Sequence, residues 1–190
     1  MSYQVFSENI IGFNSAVAGP NLSNTTTATS IIPTSAKITL PNNYLAVGKI
    51  LRLTLAGQLS NLVTTPGTLT LDCRIGGVIA FNGAAMQMSI TAHTTLPFWA
   101  QIMLTVRASG SSTSGNIMGQ GIITSQALSL TAVADSTTTP ATLLFPNTTP
   151  AVGTGYDSTA ANTLDVFATF SIANAANAIQ VLQYMVEALN

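Results

Sequence analysis

The chain has 190 residues, of which five are Lys or Arg and six are Asp or Glu, so charged residues make up only 6% of the sequence. An ordinary soluble domain has about 25% charged residues, whereas here Thr, Ser and Asn supply most of the polarity. Such a surface causes little repulsion between copies, and a net charge of −1 favours association. The cations are scattered and offset by acids, which argues against nucleic-acid binding.

Hydrophobic residues make up 47% of the chain, yet no apolar run approaches the ~20 residues that a membrane-spanning helix requires. The first four residues include no base, and Glu8 and Asn9 interrupt the apolar stretch that a secretion signal would need. We therefore expect no membrane association and synthesis in a cytoplasm. The single cysteine, Cys73, excludes an internal disulfide, and its alternation with Leu71 and Ile75 indicates a small buried residue rather than a reactive thiol.

Residues 1–27 form a distinct first segment in which isolated large apolar residues stand among Gly, Pro and a run of Thr. No period holds for long in this segment, so it does not predict a regular strand or helix. A disordered tail rarely carries so many large apolar residues. We therefore interpret residues 1–27 as an extended arm that docks elsewhere, the alternative being a frayed terminus, and residues 28–190 as the folded domain.

From residue 28 onward, strand patterns alternate with turn signals. Residues 41–43 form a turn cluster, and Pro66-Gly67 marks a second turn because proline presets φ and glycine accepts a positive φ. Gly76-Gly77 predicts the turn of a hairpin. Elsewhere apolar and polar residues alternate with the period of two that is typical of strands. The predicted strands cover residues 49–59, 68–75, 78–81, 97–109, 116–124, 126–132, 141–145, 163–173 and 178–189.

The longest predicted strand, 97–109, alternates cleanly over ten residues, which is hard to produce on a helix. Trp99 faces away from Phe98 on this strand. It fits either an exposed subunit interface or the second core face of a sandwich. In the strand that follows, Gly119 and Gly121 indicate a bulge or a close approach of backbone.

Two polar connections, residues 110–115 and the Pro- and Thr-rich residues 146–162, are interpreted as loops, the second too polar to be a core element. An Ala-rich helix starting near Ala173 competes with a last strand at 178–189, which β-branched, aromatic and alternating Gln residues favour. About nine or ten short strands without a convincing helix predict an all-β fold, a jelly-roll-like β-sandwich with an extended N-terminal arm. The sequence shows no repeat with a period of 20–50 residues, which argues against a solenoid or a propeller.

Few residues carry chemistry. A catalytic triad would have to use His93, the only histidine, whose polar context instead indicates a solvated imidazole in a loop. One histidine and one cysteine cannot supply the three or four ligands of a zinc site. Residues 110–115 lack the lysine of a phosphate-binding loop.

The acids are spread along the chain without a motif. Asp72 and Arg74 lie two apart on the outward side of one strand, which predicts a salt bridge. Asp135 and Asp157 fall in loops, where Asx-turns are the usual role, although calcium binding by loop carboxylates stays an open alternative. We therefore predict no catalytic, cofactor-binding or metal-binding residues and a protein that is not an enzyme. The six acids are Glu8, Asp72, Asp135, Asp157, Asp165 and Glu187.

Several segments resemble a group of phage and prophage virion structural proteins, and the likeness covers most of residues 28–190. These proteins look like small jelly rolls that decorate or cement the capsid shell or serve as tail accessories. The group carries no catalytic residues to transfer to this chain. The segments are Leu-Ala-Val-Gly-Lys-Ile-Leu-Arg at 45–52, Thr-Pro-Gly-Thr-Leu-Thr-Leu-Asp-Cys-Arg-Ile-Gly at 65–76, Leu-Pro-Phe-Trp at 96–99, Asn-Ile-Met-Gly-Gln-Gly at 116–121, Gly-Tyr-Asp-Ser-Thr-Ala-Ala-Asn at 155–162, and the closing strand.

The resemblance implies a non-enzymatic virion protein, assembled in the host bacterial cytoplasm, that binds and stabilises the major capsid shell. Its expected partners are copies of itself, as a homotrimer at local threefold axes, and the major capsid protein or a neighbouring virion protein. No cofactor, nucleic acid or membrane is expected. The alternative is a receptor- or glycan-binding head domain of a tail fibre or minor tail protein. It would use loops 110–115 and 146–162, with Trp99 or Tyr156 stacking on a sugar.

Overall fold

The structure is a computed structural model that describes residues 9–13, 17–62, 64–129 and 140–190. Within these ranges the chain forms twelve strands and one short 3-10 helix. None of the described residues belongs to a helix long and apolar enough to cross a membrane. The elements are β1 (Asn9–Phe13), β2 (Leu22–Ser23), β3 (Thr29–Ser30), the 3-10 helix (Thr34–Ala36), β4 (Ile38–Leu40), β5 (Ile50–Asn61), β6 (Thr68–Ile75), β7 (Val78–Gln87), β8 (His93–Ala108), β9 (Asn116–Ser125), β10 (Ala141–Phe145), β11 (Asn162–Phe170) and β12 (Ala178–Ala188).

Two antiparallel sheets face each other as a sandwich. The large sheet runs β1-β12-β5-β8-β9-β10, with β2 also paired to β12, and the small sheet runs β3-β11-β6-β7, with β4 paired to β11. The predicted all-β, jelly-roll-like sandwich is confirmed, with short strands before residue 50 that the sequence pattern did not show. The helix considered near Ala173 does not form, because β12 pairs with β5 over ten residues of its length.

The core follows from strand alternation. The inward leucines of β5, such as Leu51 and Leu53, are fully buried, and so are Leu69 and Cys73 of β6. Burying a leucine side chain contributes about 1.5–3 kcal/mol, so the two inner faces hold the sheets together. The predicted hairpin between β6 and β7 is present: its two-residue turn, Gly76-Gly77, has φ of +58° and +87°, which favours glycine at both positions.

Two local predictions are wrong, and a third is decided between its two alternatives. The predicted strand at 126–132 does not form over its described part: Gln126 and Ala127 make a turn in which the Ser125 hydroxyl accepts a hydrogen bond from the Ala127 N–H, and Leu128 forms only an isolated bridge with Met88. Of the bulge and the close approach of backbone expected at Gly119 and Gly121, the bulge does not occur, since β9 keeps its register with β8 there. His93 does not lie in a loop, because it is the first residue of β8 and pairs with Asn61.

The connection at 146–162 is also more ordered than its polarity indicates. The Gly153 N–H donates to the Ile117 carbonyl and the Thr154 N–H to the Ile79 carbonyl, both at 3.0 Å. This segment therefore closes the open side of the sandwich between β7 and β9, and it buries Tyr156 to 1% exposure. The connection is a loop, as predicted, but the expectation that it is too polar to belong to the core is wrong for Tyr156.

Part of the predicted arm belongs to the large sheet, because β1 and β2 both pair with β12. A register shift between Ile10 and Gly12 turns Ile10 and Phe13 outward, and their side chains are 60% and 59% exposed. Residues 1–8 and 14–16 of the arm lie outside the described residues. The division of the chain into residues 1–27 and 28–190 stays a prediction.

Candidate interaction surface

The side chains of the large sheet that point away from the core form one continuous surface, which we call the outer face. On β8 they are every second residue from Trp99 to Arg107, while the residues between them are buried. Trp99 is 42% exposed on this face, so the alternative that placed it in a second core is wrong.

The register of the strands sets the neighbours on the outer face. Residues directly opposite one another on antiparallel strands have Cβ atoms ~4.5–5.5 Å apart, so each row of partners is a line of touching side chains. Two rows cross the face from one edge towards the other. They are Leu144, Ile122, Gln101, Thr54, Met185 and Phe13, and Gln120, Met103, Arg52, Glu187 and Ile10.

The outer face is large and apolar for a solvent-facing sheet. Six strands at ~4.8 Å spacing make it about 24 Å wide, and the eight residue steps from Trp99 to Arg107 make it about 26 Å long. This footprint approaches the ~800 Å² that each partner contributes to a standard protein interface. Monomeric proteins rarely expose apolar patches of more than a few hundred Å². Of the nine large apolar side chains that are exposed among the described residues, five lie here, Ile10, Phe13, Trp99, Met103 and Leu144.

A shallow groove of about 670 Å³ runs along the outer face beside β10. Outward side chains of β8 and β9, including Met103 and Met118, line it together with Leu144 and Pro150. Arg107 also lines it, at the end where β8 leaves the sheet. The groove is thus mostly apolar, with one cation and the amides of Gln101 and Gln120 among its polar groups.

The charges of the outer face are few and mostly neutralised. The Arg52 Nε lies 2.7 Å from the Glu187 Oε2, and both side chains are partly buried. Arg107 is exposed and has no ion-pair partner in the described part of the chain. The outer face therefore carries one uncompensated charge, which adds little repulsion to an approaching protein.

The opposite side of the molecule differs. On the outside of the small sheet, the Lys37 Nζ lies 2.7 Å from the Asp165 Oδ2, and the Arg74 Nε lies 2.8 Å from the Asp72 Oδ1. The Arg74 guanidinium also stacks 3.8 Å from the centre of the Phe167 ring. The salt bridge predicted between Asp72 and Arg74 is thus confirmed. These charges satisfy one another, which leaves the outer face of the large sheet as the better docking surface.

No described group of three His, Cys, Asp or Glu residues could hold a metal ion. The Nε2 of His93 and the Oδ1 of its strand partner Asn61 are buried without a hydrogen-bond partner in the structure. The Asn61 amide nitrogen donates instead to backbone carbonyls, including that of Thr91 at 2.7 Å. These groups join the end of β5 to the start of β8.

The two loops considered for glycan binding contact each other. The Tyr156 and Gly115 backbones exchange two hydrogen bonds of 2.9 Å, and the Ser158 hydroxyl accepts one of 2.7 Å from the Gly110 N–H. Burial raises the pKa of the Tyr156 hydroxyl to about 12 and removes its ring from solvent. Tyr156 therefore cannot stack on a sugar, and Trp99 lies nine residues before Ala108, the end of β8 that leads into loop 110–115.

Asp157 behaves as predicted for a loop carboxylate. Its Oδ1 accepts hydrogen bonds from the Thr159 hydroxyl at 2.6 Å and from the Thr159 N–H at 2.9 Å, which forms an Asx-turn. These bonds, the hydroxyl first, lower the pKa of the carboxyl, so it stays ionised in neutral solution. Asp135 lies outside the described residues.

Cys73 is 0% exposed in the core, as predicted, and burial raises the pKa of its thiol. Only a thiolate attacks a disulfide reagent, so we expect the native protein to react far more slowly than free cysteine. In denaturant one thiol per chain should react at the ordinary rate. Titration with an aromatic disulfide reagent in buffer and in guanidinium measures both rates, and fast reaction in buffer would contradict the buried position.

Comparison with known proteins returned no relative. No protein-family model, no curated protein and no solved structure matches the chain. The function is therefore inferred from the residues and surfaces described above.

Proposed function

We propose that the protein is a non-enzymatic structural subunit of a virion, a capsid decoration or cement protein that binds and stabilises the major capsid shell. The observation that carries the structural role is the outer face, which is mostly apolar, carries few charges and approaches the size of a standard protein interface. The sequence segments that resemble virion proteins support the placement on a capsid. The homotrimer that the resemblance implies remains part of this proposal.

A subunit fixed permanently in an assembly is well served by this surface. Exposed charge keeps a freely diffusing protein soluble and separate, whereas here most of the charged side chains among the described residues pair with one another. Contacts between neutral, apolar faces bury area without the desolvation cost of unpaired ions. Such contacts suit a protein that binds once and stays bound.

The test is binding to shells assembled without this protein. We expect the full chain to sediment with the shells and to raise the temperature at which they release their contents. Removing residues 1–8, which keeps β1 in the sheet, should weaken binding at least about tenfold, because this segment carries Tyr3, Val5 and Phe6. The control is Val47→Ala, which removes an exposed apolar side chain outside the outer face and should bind as the full chain does.

Two outcomes would count against these proposals separately. A full chain that fails to bind shells would overturn the capsid role. Unchanged binding after removal of residues 1–8 would overturn only the docking role of the arm.

The tail-fibre alternative keeps one supporting feature, the groove on the outer face, where the Gln101 and Gln120 amides lie beside Met103. Such amides can hydrogen-bond sugar hydroxyls. A glycan array with purified protein tests it: selective binding that Gln101→Ala abolishes would favour the receptor-binding role, and an array without signal would exclude it.

A further inference from the structure

Strand β8 carries an aromatic ring and a cation at equal distances from a central methionine, and the cation has no ion-pair partner within the described ranges. Trp99 and Arg107 each lie four residues from Met103, and all three side chains are exposed on the outer face. At about 3.3 Å per residue, each lies about 13 Å from Met103 along the strand. An aromatic face and a guanidinium attract each other, so the strand presents both halves of one contact.

We propose that two copies of the chain pack their outer faces together about a twofold axis that crosses β8 at Met103. Arg107 of each copy then lies against Trp99 of the other. This deepens the proposed structural role by naming a contact between copies and the residues that form it. A twofold contact is isologous, meaning that residue i meets residue j and residue j meets residue i.

The position of the charges selects the direction of the axis. An axis that crosses the strands reverses β8 in the second copy, so a residue four places after Met103 faces a residue four places before it. An axis along β8 would instead place Arg107 opposite Arg107. Two like charges without an acid between them oppose association.

The dimensions of packed sheets fit this contact. Two sheets stack ~10 Å apart with their strands about 30° from alignment, which shifts a residue 13 Å from the axis sideways by about 6–7 Å. The long, flexible side chain of Arg107 can span that offset to the large ring of Trp99. Met103 faces its own copy at the axis, where an unbranched thioether adapts to the space.

The contact is compatible with a trimer on a capsid. Subunits around neighbouring local threefold axes of a shell are related by local twofold axes. A face-to-face contact between two copies would therefore join neighbouring trimers, leaving their other surfaces for the trimer and for the shell.

The first test exchanges the two side chains. In sedimentation equilibrium of the full chain we expect a dimer, which Trp99→Arg weakens at least about tenfold because it places two arginines together. Adding Arg107→Trp to Trp99→Arg restores the contact with the partners exchanged, and the dissociation constant should return to within about threefold of the original. Val47→Ala serves as the control and should leave the dimer unchanged.

The second test measures the axis. A bismaleimide that spans about 10 Å, the spacing of packed sheets, should link two copies through Met103→Cys and not through Arg107→Cys. The native thiol, Cys73, is buried and does not interfere. A chain that stays monomeric up to its solubility limit, or that links equally well through Arg107→Cys, would overturn the contact.

Failure of this contact and failure of the capsid role give different results. A dimer that behaves as described but does not bind shells would leave the contact standing and overturn the capsid role. Shell binding by a chain that remains monomeric would overturn the contact and leave the capsid role.

Discussion

Replacing Asn177 with alanine is expected to lower the free energy of unfolding by about 3–5 kcal/mol, since each buried polar group left unpaired costs about 1–3 kcal/mol. Asn177 is fully buried between β11 and β12. Its Oδ1 accepts a hydrogen bond of 2.9 Å from the Leu62 N–H, and its Nδ2 donates to the carbonyls of Pro66 at 2.9 Å and Ile172 at 3.2 Å. Alanine would leave one N–H and two carbonyls without their partner.

Urea unfolding followed by circular dichroism measures this loss. Asn42→Ala is the matched control, because Asn42 is exposed in a turn, and we expect it to change stability by less than about 0.5 kcal/mol. Equal shifts of the unfolding midpoint in the two variants would show that the buried amide does not hold the three segments together. The slope of free energy against urea should stay the same in both.

The role of Asn177 shows where prediction from sequence ends. The strands predicted at 163–173 and 178–189 leave residues 174–177 as their connection, and this connection is a turn in which the Asn177 N–H donates to the Asn174 carbonyl. The amide side chain, however, bonds to segments 111 and 115 residues earlier in the chain. The local sequence pattern indicates the turn. The contacts of Asn177 with Leu62 and Pro66 depend on how the strands pair, which the local pattern does not show.

The same distinction applies to the outer face. Alternation in 97–109 predicted correctly which side chains of β8 share a face, because the period of two is local. The order of the strands is not local. Only the pairing of β8 with β5 and β9 shows that Met103 is flanked by Arg52 and Gln120.

Strand β1 was not predicted, for a related reason. The lack of period in residues 1–27 indicated an extended arm, and within that segment β1 is one edge of the large sheet. Its register shift places Ile10 and Phe13 on the same side, which breaks the alternation that would have revealed a strand. An irregular strand that pairs with a regular neighbour shows no clear alternation of apolar and polar residues in its own sequence.

Replacing Gly119 with valine is expected to lower the free energy of unfolding by about 3 kcal/mol or more, at the upper end of the usual cost of overfilling a core. A Cβ atom at this position would lie 2.2 Å from the Cδ2 of Phe81. The neighbouring inward position, Gly121, gives the same space to the ring of Phe145. The two rings lie 5.8 Å apart and are almost fully buried, so neither can move without displacing the other.

The glycine and the ring should therefore depend on each other, which a double-mutant cycle measures. Gly119→Ala alone should destabilise the protein, and combining it with Phe81→Leu should cost at least about 1 kcal/mol less than the sum of the two single changes. Gln120→Val, on the exposed side of β9, is the control and should be close to neutral because valine suits a strand. Additive losses would mean that Gly119 serves the backbone of β9 rather than the ring. The close approach inferred from the sequence would then be one of main chain, as first predicted.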